Sequence, residues 1–91
     1  MFAKFSQLAI ADYLINIASI AIALSFTDSI EITINETLLN NPKIGMSVDF
    51  SGKEMRFFPA NKYNIFYTVE NDHIFIVRIL QSKRDIVSIF E

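Results

Sequence analysis

Tyr63-Asn64-Ile65-Phe66-Tyr67-Thr68-Val69 and His73-Ile74-Phe75-Ile76-Val77-Arg78-Ile79-Leu80, separated by Glu70-Asn71-Asp72, decide the fold. Both runs are rich in β-branched and aromatic residues, which pack well on a pleated surface. Asn71-Asp72 suits a two-residue turn, because both residues tolerate positive φ. The stretch predicts two antiparallel strands with Glu70 paired to His73, Tyr67 opposite Ile76 and Ile65 opposite Arg78. Alternation then places Tyr63, Ile65, Tyr67, Val69, Ile74, Ile76, Arg78 and Leu80 on one face. Asn64, Phe66, Thr68, His73, Phe75, Val77 and Ile79 take the other.

Upstream, residues 54–59 read as a third strand, after a loop over 42–53 that holds Pro42, Gly45 and Gly52. Residues 25–41 carry two signals. Ile30, Ile32 and Ile34 alternate as in a strand, while Phe26, Ile30, Ile34 and Leu38 step by four as in a helix. The second pattern persists to Asn40-Asn41-Pro42, where the residue before proline avoids the helical region, and that length favours a helix. Residues 7–24 form another helix by the steps of three and four among Leu8, Ala11, Leu14, Ile15, Ala18 and Ile22, with Ser6 as its N-cap. It is apolar around much of its girth, which predicts cover on more than one side. Residues 2–5 form a short first strand. The predicted order is β-α-α-β-β-β: a single α+β domain over 1–91, with two N-terminal helices on one face of a small antiparallel sheet.

Composition bounds the function. The chain has 91 residues, 52% hydrophobic and 20% charged, which is enough to bury a core and excludes disorder. It has no cysteine, so disulfide scaffolds and thiolate zinc sites are excluded. A net charge of -2 lacks the basic excess of a nucleic-acid coat, so direct sequence-specific nucleic-acid binding is not expected. Tyr13 to Thr27 is the longest apolar run, but its fifteen uncharged residues fall short of the about 20 that span a bilayer and include Asn16, Ser19 and Ser25. The run reads as a buried helix of a soluble domain, with no secretory signal pattern around it.

At the third and fourth strands the residues stop being generic. Met55-Arg56-Phe57-Phe58-Pro59-Ala60-Asn61-Lys62-Tyr63-Asn64-Ile65-Phe66-Tyr67-Thr68-Val69, Ile74-Phe75-Ile76-Val77-Arg78-Ile79-Leu80 and Arg84-Asp85 together resemble the ParE/RelE superfamily of bacterial toxins from type II toxin–antitoxin modules. Ala11-Asp12-Tyr13-Leu14 and Asn41-Pro42-Lys43-Ile44-Gly45 resemble its helix-one and post-helix motifs. Gln81 departs from the pattern, where many ParE-like chains carry histidine. The resemblance implies a cytoplasmic toxin, without cofactor, paired with a cognate antitoxin. It also implies that the Tyr63 face meets the helices and the Phe66 face is open.

The superfamily divides by target. RelE-like members cleave mRNA on the ribosome with a cluster of Lys, Arg, His or Tyr side chains on the open face, whereas ParE-like members are known for poisoning DNA gyrase. Ribonuclease chemistry needs cations and acid–base groups around the scissile phosphate. Here the open face offers Met55, Phe57, Phe66, Phe75 and Val77, with Asn64 where RelE-like members show arginine. The resemblance therefore implies the ParE-like branch, with DNA gyrase as target. The alternatives are a RelE-like endonuclease or an inactive member that still binds antitoxin. An apolar open face needs a cover. Met55, Phe57, Phe66, Phe75 and Val77 are assigned to the antitoxin, the competing cover being the apolar residues of 86–90. Arg56, Lys83 and Arg84 are assigned to the target. Arg78 would need a carboxylate if it faces the helices, and Asp12 is the candidate. His73, the single histidine, stands at the hairpin as a solvated residue. No catalytic triad, phosphate loop or metal-ligand cluster is present.

Overall fold

The computed structural model describes residues 1–18, 20–50 and 52–82. In chain order it contains β1 (Phe2–Phe5), α1 (Gln7–Ile17) and α2 (Ile20–Ile32), which runs into a π-helical segment (Thr33–Leu38). There follow β2 (Met46–Phe50), β3 (Lys53–Ala60), β4 (Tyr63–Val69) and β5 (His73–Gln81). The strands form one sheet in the order β1-β5-β4-β3-β2. The α+β class and the two helices against one face agree with the reading of the sequence.

Four details differ from it, each for a physical reason. The sheet is mixed, because β1 pairs parallel to β5, with Phe2 beside His73 and Phe5 beside Ile76. The stretch read as a loop contains β2, whose Met46, Val48 and Phe50 alternate with Ser47 and Asp49; the flanking Gly45 and Gly52 masked this period-two signal. The first helix ends at Ile17, not at residue 24, with no glycine or proline to mark the break. Burial drives the reversal. Doubling back sets Tyr13 against Phe26 (ring centroids 5.2 Å) and Phe26 against Tyr63 (4.7 Å), and brings the Tyr13 hydroxyl to 3.4 Å from Thr27 Oγ1.

The fourth difference is a β-bulge. Tyr67 pairs with Ile76 as the hairpin predicts, but Phe66 pairs with Arg78, so Val77 is an extra residue in β5. Beyond the bulge the faces invert. Ile79, expected on the open face, is 2% exposed in the core, and Leu80 turns outward at 38%. The start of α1 supplies the partners that the ladder loses here. Ser6 Oγ donates to the Val77 carbonyl (2.6 Å) and accepts from Ala9 N (3.0 Å), so one hydroxyl caps the helix and ties down the bulge. The hairpin itself closes with Glu70 N donating to His73 O at 2.9 Å. Positive φ occurs not at Asn71 or Asp72 but at Asn61 (58°), in the β3–β4 turn, and at Gly52 (78°).

The core lies between the helices and β1, β5 and β4: Phe26, Ile30, Ile34 and Leu38 meet Ile65, Tyr67, Ile74, Ile76 and Ile79. The π-helical segment explains how a four-residue step stays buried. An α-helix, at about 3.6 residues per turn, rotates such a stripe steadily off its face. A wider turn, marked by Leu39 N donating to Ile34 O at 3.0 Å, brings Ile34 and Leu38 back toward the sheet. Among the described residues no helix is long and apolar enough to cross a membrane.

Candidate functional site

The sheet face turned away from the helices is the candidate. Pairing puts Phe57 beside Phe66 and Met46, and Phe75 beside Thr68, so Met55, Phe57, Phe66 and Phe75 share it, while Val77 is the unpaired bulge residue at its border. The Phe57 and Phe66 rings stand 5.6 Å apart, tilted by 31°. All five residues are half-buried, Phe75 included. Two more residues belong to the surface that the sequence reading did not place there: Met46, 65% exposed on β2, and Leu80, brought round by the bulge. The alternation of 46–50 was the available signal for Met46; nothing in the sequence announced the bulge.

Basic groups on this face are dispersed. Lys4 and His73 sit at its β1–β5 edge, and Lys53 sits at the opposite edge, in β3 beside β2. Arg78, expected on the helix-facing side, is brought opposite Phe66 by the bulge, with its guanidinium drawn to Asp12. His73 stacks on Phe2 at 5.3 Å and its Nδ1 lies 2.7 Å from Asp72 Oδ1, a contact that holds the Asp72 carboxyl below its usual range. Asn64 is 7% exposed. Among the described residues no three His, Asp or Glu side chains gather into a metal site. Lys83 and Arg84 lie outside the described residues.

Arg56 lies on the other side of β3. Its Nη1 donates to Lys43 O (3.0 Å) and Gly45 O (2.8 Å), and its Nη2 lies 2.9 Å from Glu54 Oε1, with the side chain 16% exposed. Its Nε is buried without a partner among the described residues. The adjacent Tyr67 hydroxyl donates to Pro42 O (2.7 Å) and accepts from Gly45 N (3.0 Å). Burial pushes the Tyr67 phenol up, against the opposing pull of the Gly45 bond and the Arg56 charge. Together the two side chains clamp residues 42–45 and so fix where β2 begins. Tyr67→Phe removes both hydroxyl bonds and leaves Gly45 N buried; a loss of about 1–3 kcal/mol is expected in urea unfolding. An unchanged midpoint would show that the hydroxyl does not hold the loop.

Arg78 and Asp12 pair as the sequence suggested. Arg78 Nε and Nη2 donate to the two carboxylate oxygens at 2.8 and 3.0 Å, and Ile79 N donates to Oδ2 at 2.9 Å. Burial would raise the Asp12 pKa, but the Arg78 hydrogen bond, the Ile79 N–H and the Arg78 charge outweigh it and leave it lowered. The same contact raises that of Arg78.

The helical side carries a second apolar surface. A cleft of about 680 Å³ opens between β1, α1 and the π-helical segment, walled by Phe2, Phe5, Ile10, Leu14, Ile34 and Leu39 with Glu31 and Asn35 at its side. The i, i+4 pair Ile10 and Leu14, off the core-facing stripe, was its sequence signal.

A helical hairpin laid on a mixed sheet whose far face is apolar defines a small α+β domain that presents a sheet surface for contact. The sequence matches the family model of the ParE toxin of the type II toxin–antitoxin system parDE over residues 4–86, and the chain belongs to that family. Two solved structures share the fold. One is from the chromosomal ParDE toxin–antitoxin system of P. aeruginosa, at 20% identity and TM-score 0.66, covering 91% of this chain and 97% of that one. The other is from the archaeal RelE–RelB complex of Pyrococcus horikoshii OT3, at 14% identity and TM-score 0.57, covering 90% and 94%. No curated protein matches the sequence.

Proposed function

We propose that this toxin acts by binding, in the bacterial cytoplasm, to DNA gyrase, and holds the enzyme in its DNA-cleaved state. A cognate antitoxin neutralises it by covering the open sheet face. The observation that carries this reading is the composition of that face. Met55, Phe57, Phe66, Phe75 and Val77 stand where cleavage of a phosphodiester would need gathered cations and proton donors. Arg78, tied to Asp12, and Arg56, tied to the 42–45 loop, are not free to supply them. Of the residues assigned to the target, Arg56 is held by the 42–45 loop, and Lys83 and Arg84 follow β5.

The test is a gyrase reaction with the purified chain, scored for supercoiling and for trapped cleaved DNA. Cleaved complexes that disappear on adding the antitoxin are expected, and Lys83→Ala/Arg84→Ala should weaken trapping while leaving antitoxin binding intact. Phe66→Lys should do the reverse, weakening antitoxin binding by about tenfold or more, because it buries a charge in an apolar contact. No trapping at large excess of toxin rejects gyrase as the target.

A further inference from the structure

We propose that α1 is also a self-association face, through which two copies of this chain pair as an antiparallel helix pair about a two-fold axis. The outer side of α1 exposes Leu8 at 58% and Ile15 at 73%, with Ala11 and, at the C-cap just past Ile17, Ala18 also exposed. These four positions step by three, four and three, the spacing of a helix–helix seam. Ala9 and Asp12, the buried residues of α1, lie to one side of this stripe, with Asp12 next to Leu8 and Ile15.

Two observations select a second copy as the occupant. The first is shape. With the axis level with Tyr13, Leu8 meets Ala18 of the other copy and Ala11 meets Ile15, so every large side chain faces an alanine. A two-fold contact is self-complementary in this way, residue i meeting j and j meeting i. Large against small fills the seam to interior density. A parallel arrangement in register would set Leu8 on Leu8 and Ala11 on Ala11, large on large and small on small, which fills the seam less evenly.

The second observation is charge. The single charged residue of α1, Asp12, is turned inward and bonded to Arg78 and Ile79. Residues 5–42 contain no Lys or Arg, and Asp28, Glu31 and Glu36 lie on α2 and the π-helical segment. Two copies meeting through α2 would oppose like charges, which the outer stripe of α1 avoids. Eleven residues make a helix of only about 16 Å, so the interface falls in the small, concentration-dependent class.

Sedimentation equilibrium of the full chain over a wide concentration range tests this. A monomer–dimer equilibrium is expected, with Ile15→Lys raising its Kd by about tenfold or more. Ala11→Ile, which overfills the seam, and Ile15→Ala, which empties it, should each weaken the dimer. The double variant Ala11→Ile/Ile15→Ala should restore it, because it exchanges the large and small partners across the axis. Both positions are exposed, so the variants should keep the parent far-UV circular dichroism, and the double variant controls for either single one misfolding. A chain that stays monomeric throughout, a dimer indifferent to Ile15→Lys, or a double variant no better than the weaker single one would each overturn the proposal.

Discussion

Asp12→Ala is expected to lower the stability of the chain by about 2–3 kcal/mol, the range for losing hydrogen bonds to a charged group and leaving the partners unmatched. Three donors lose their acceptor at once: Arg78 Nε, Arg78 Nη2 and the backbone N–H of Ile79. The Ile79 N–H is the costliest, since Ile79 is 2% exposed and the β1 ladder alongside β5 ends at Ile76, short of it. The Arg78 share is discounted, because its side chain is 37% exposed and water can take over part of its hydration. In a domain of this size the loss corresponds to a melting temperature lower by about 10–20 °C.

The same contact makes the fold acid-sensitive in a definite direction. The folded Asp12 carboxyl titrates below its ordinary value of 3.8. Its stabilisation is therefore complete above that value and is lost as the pH falls through the lowered one. Asp12→Asn should remove this part of the acid transition while retaining a partial acceptor for Ile79 N. Urea midpoints of parent and Asp12→Asn that fall in parallel below pH 4 would show that another carboxylate governs the acid limb.

Gly45→Ala is expected to cost about 2–3 kcal/mol, from overpacking together with weakened hydroxyl bonds. A methyl group on Gly45 would lie 2.5 Å from Tyr67 Oη, 2.9 Å from Tyr67 Cε1 and 2.9 Å from the Phe57 carbonyl oxygen. The last of these is backbone inside β3 and cannot swing aside. The glycine is needed for room, since its φ is not in the left-handed region. Removing the nearest atom should relieve part of the strain. Gly45→Ala/Tyr67→Phe is expected to be less destabilised than the sum of the single changes, as neighbours sharing one clash are. Strict additivity in thermal melts would mean that the Phe57 backbone, not the hydroxyl, sets the cost.

Much of this architecture was legible in the residues, and the exceptions have specific causes. β4 and the start of β5 declared themselves because Tyr63–Val69 and Ile74–Ile76 combine β-branched and aromatic residues with a short turn. Their register held as far as Tyr67–Ile76. It failed one residue later because Ile79 and Leu80 are both large and apolar, so hydropathy is indifferent to which one enters the core. The bulge is set instead by Ser6 and Asp12, about 70 positions away in the sequence. The break after α1 was hidden for a related reason: residues 14–24 hold only Asn16 and Ser19 as polar residues, and tertiary packing chooses where such a run turns. At the candidate site, strand alternation sufficed to gather Met55, Phe57, Phe66 and Phe75 on one face, and Val77 became the bulge residue. It also put Arg56 on the opposite face, but the loop that Arg56 holds could not be read from spacing.

The parallel pairing of β1 with β5 bears on how the toxin comes into being. Its first strand can dock only once β5 has been made; the tie from Ser6 to Val77 spans 71 positions. Contacts of such long sequence separation form late and slowly, after loop closure has been overcome. While the chain is still on the ribosome, its N-terminal strand and helices have no sheet edge to close against. The folded toxin therefore appears only after β5 has been synthesised. An antitoxin already present in the cell would meet the nascent chain with its apolar surfaces still open, before any active toxin exists to be neutralised.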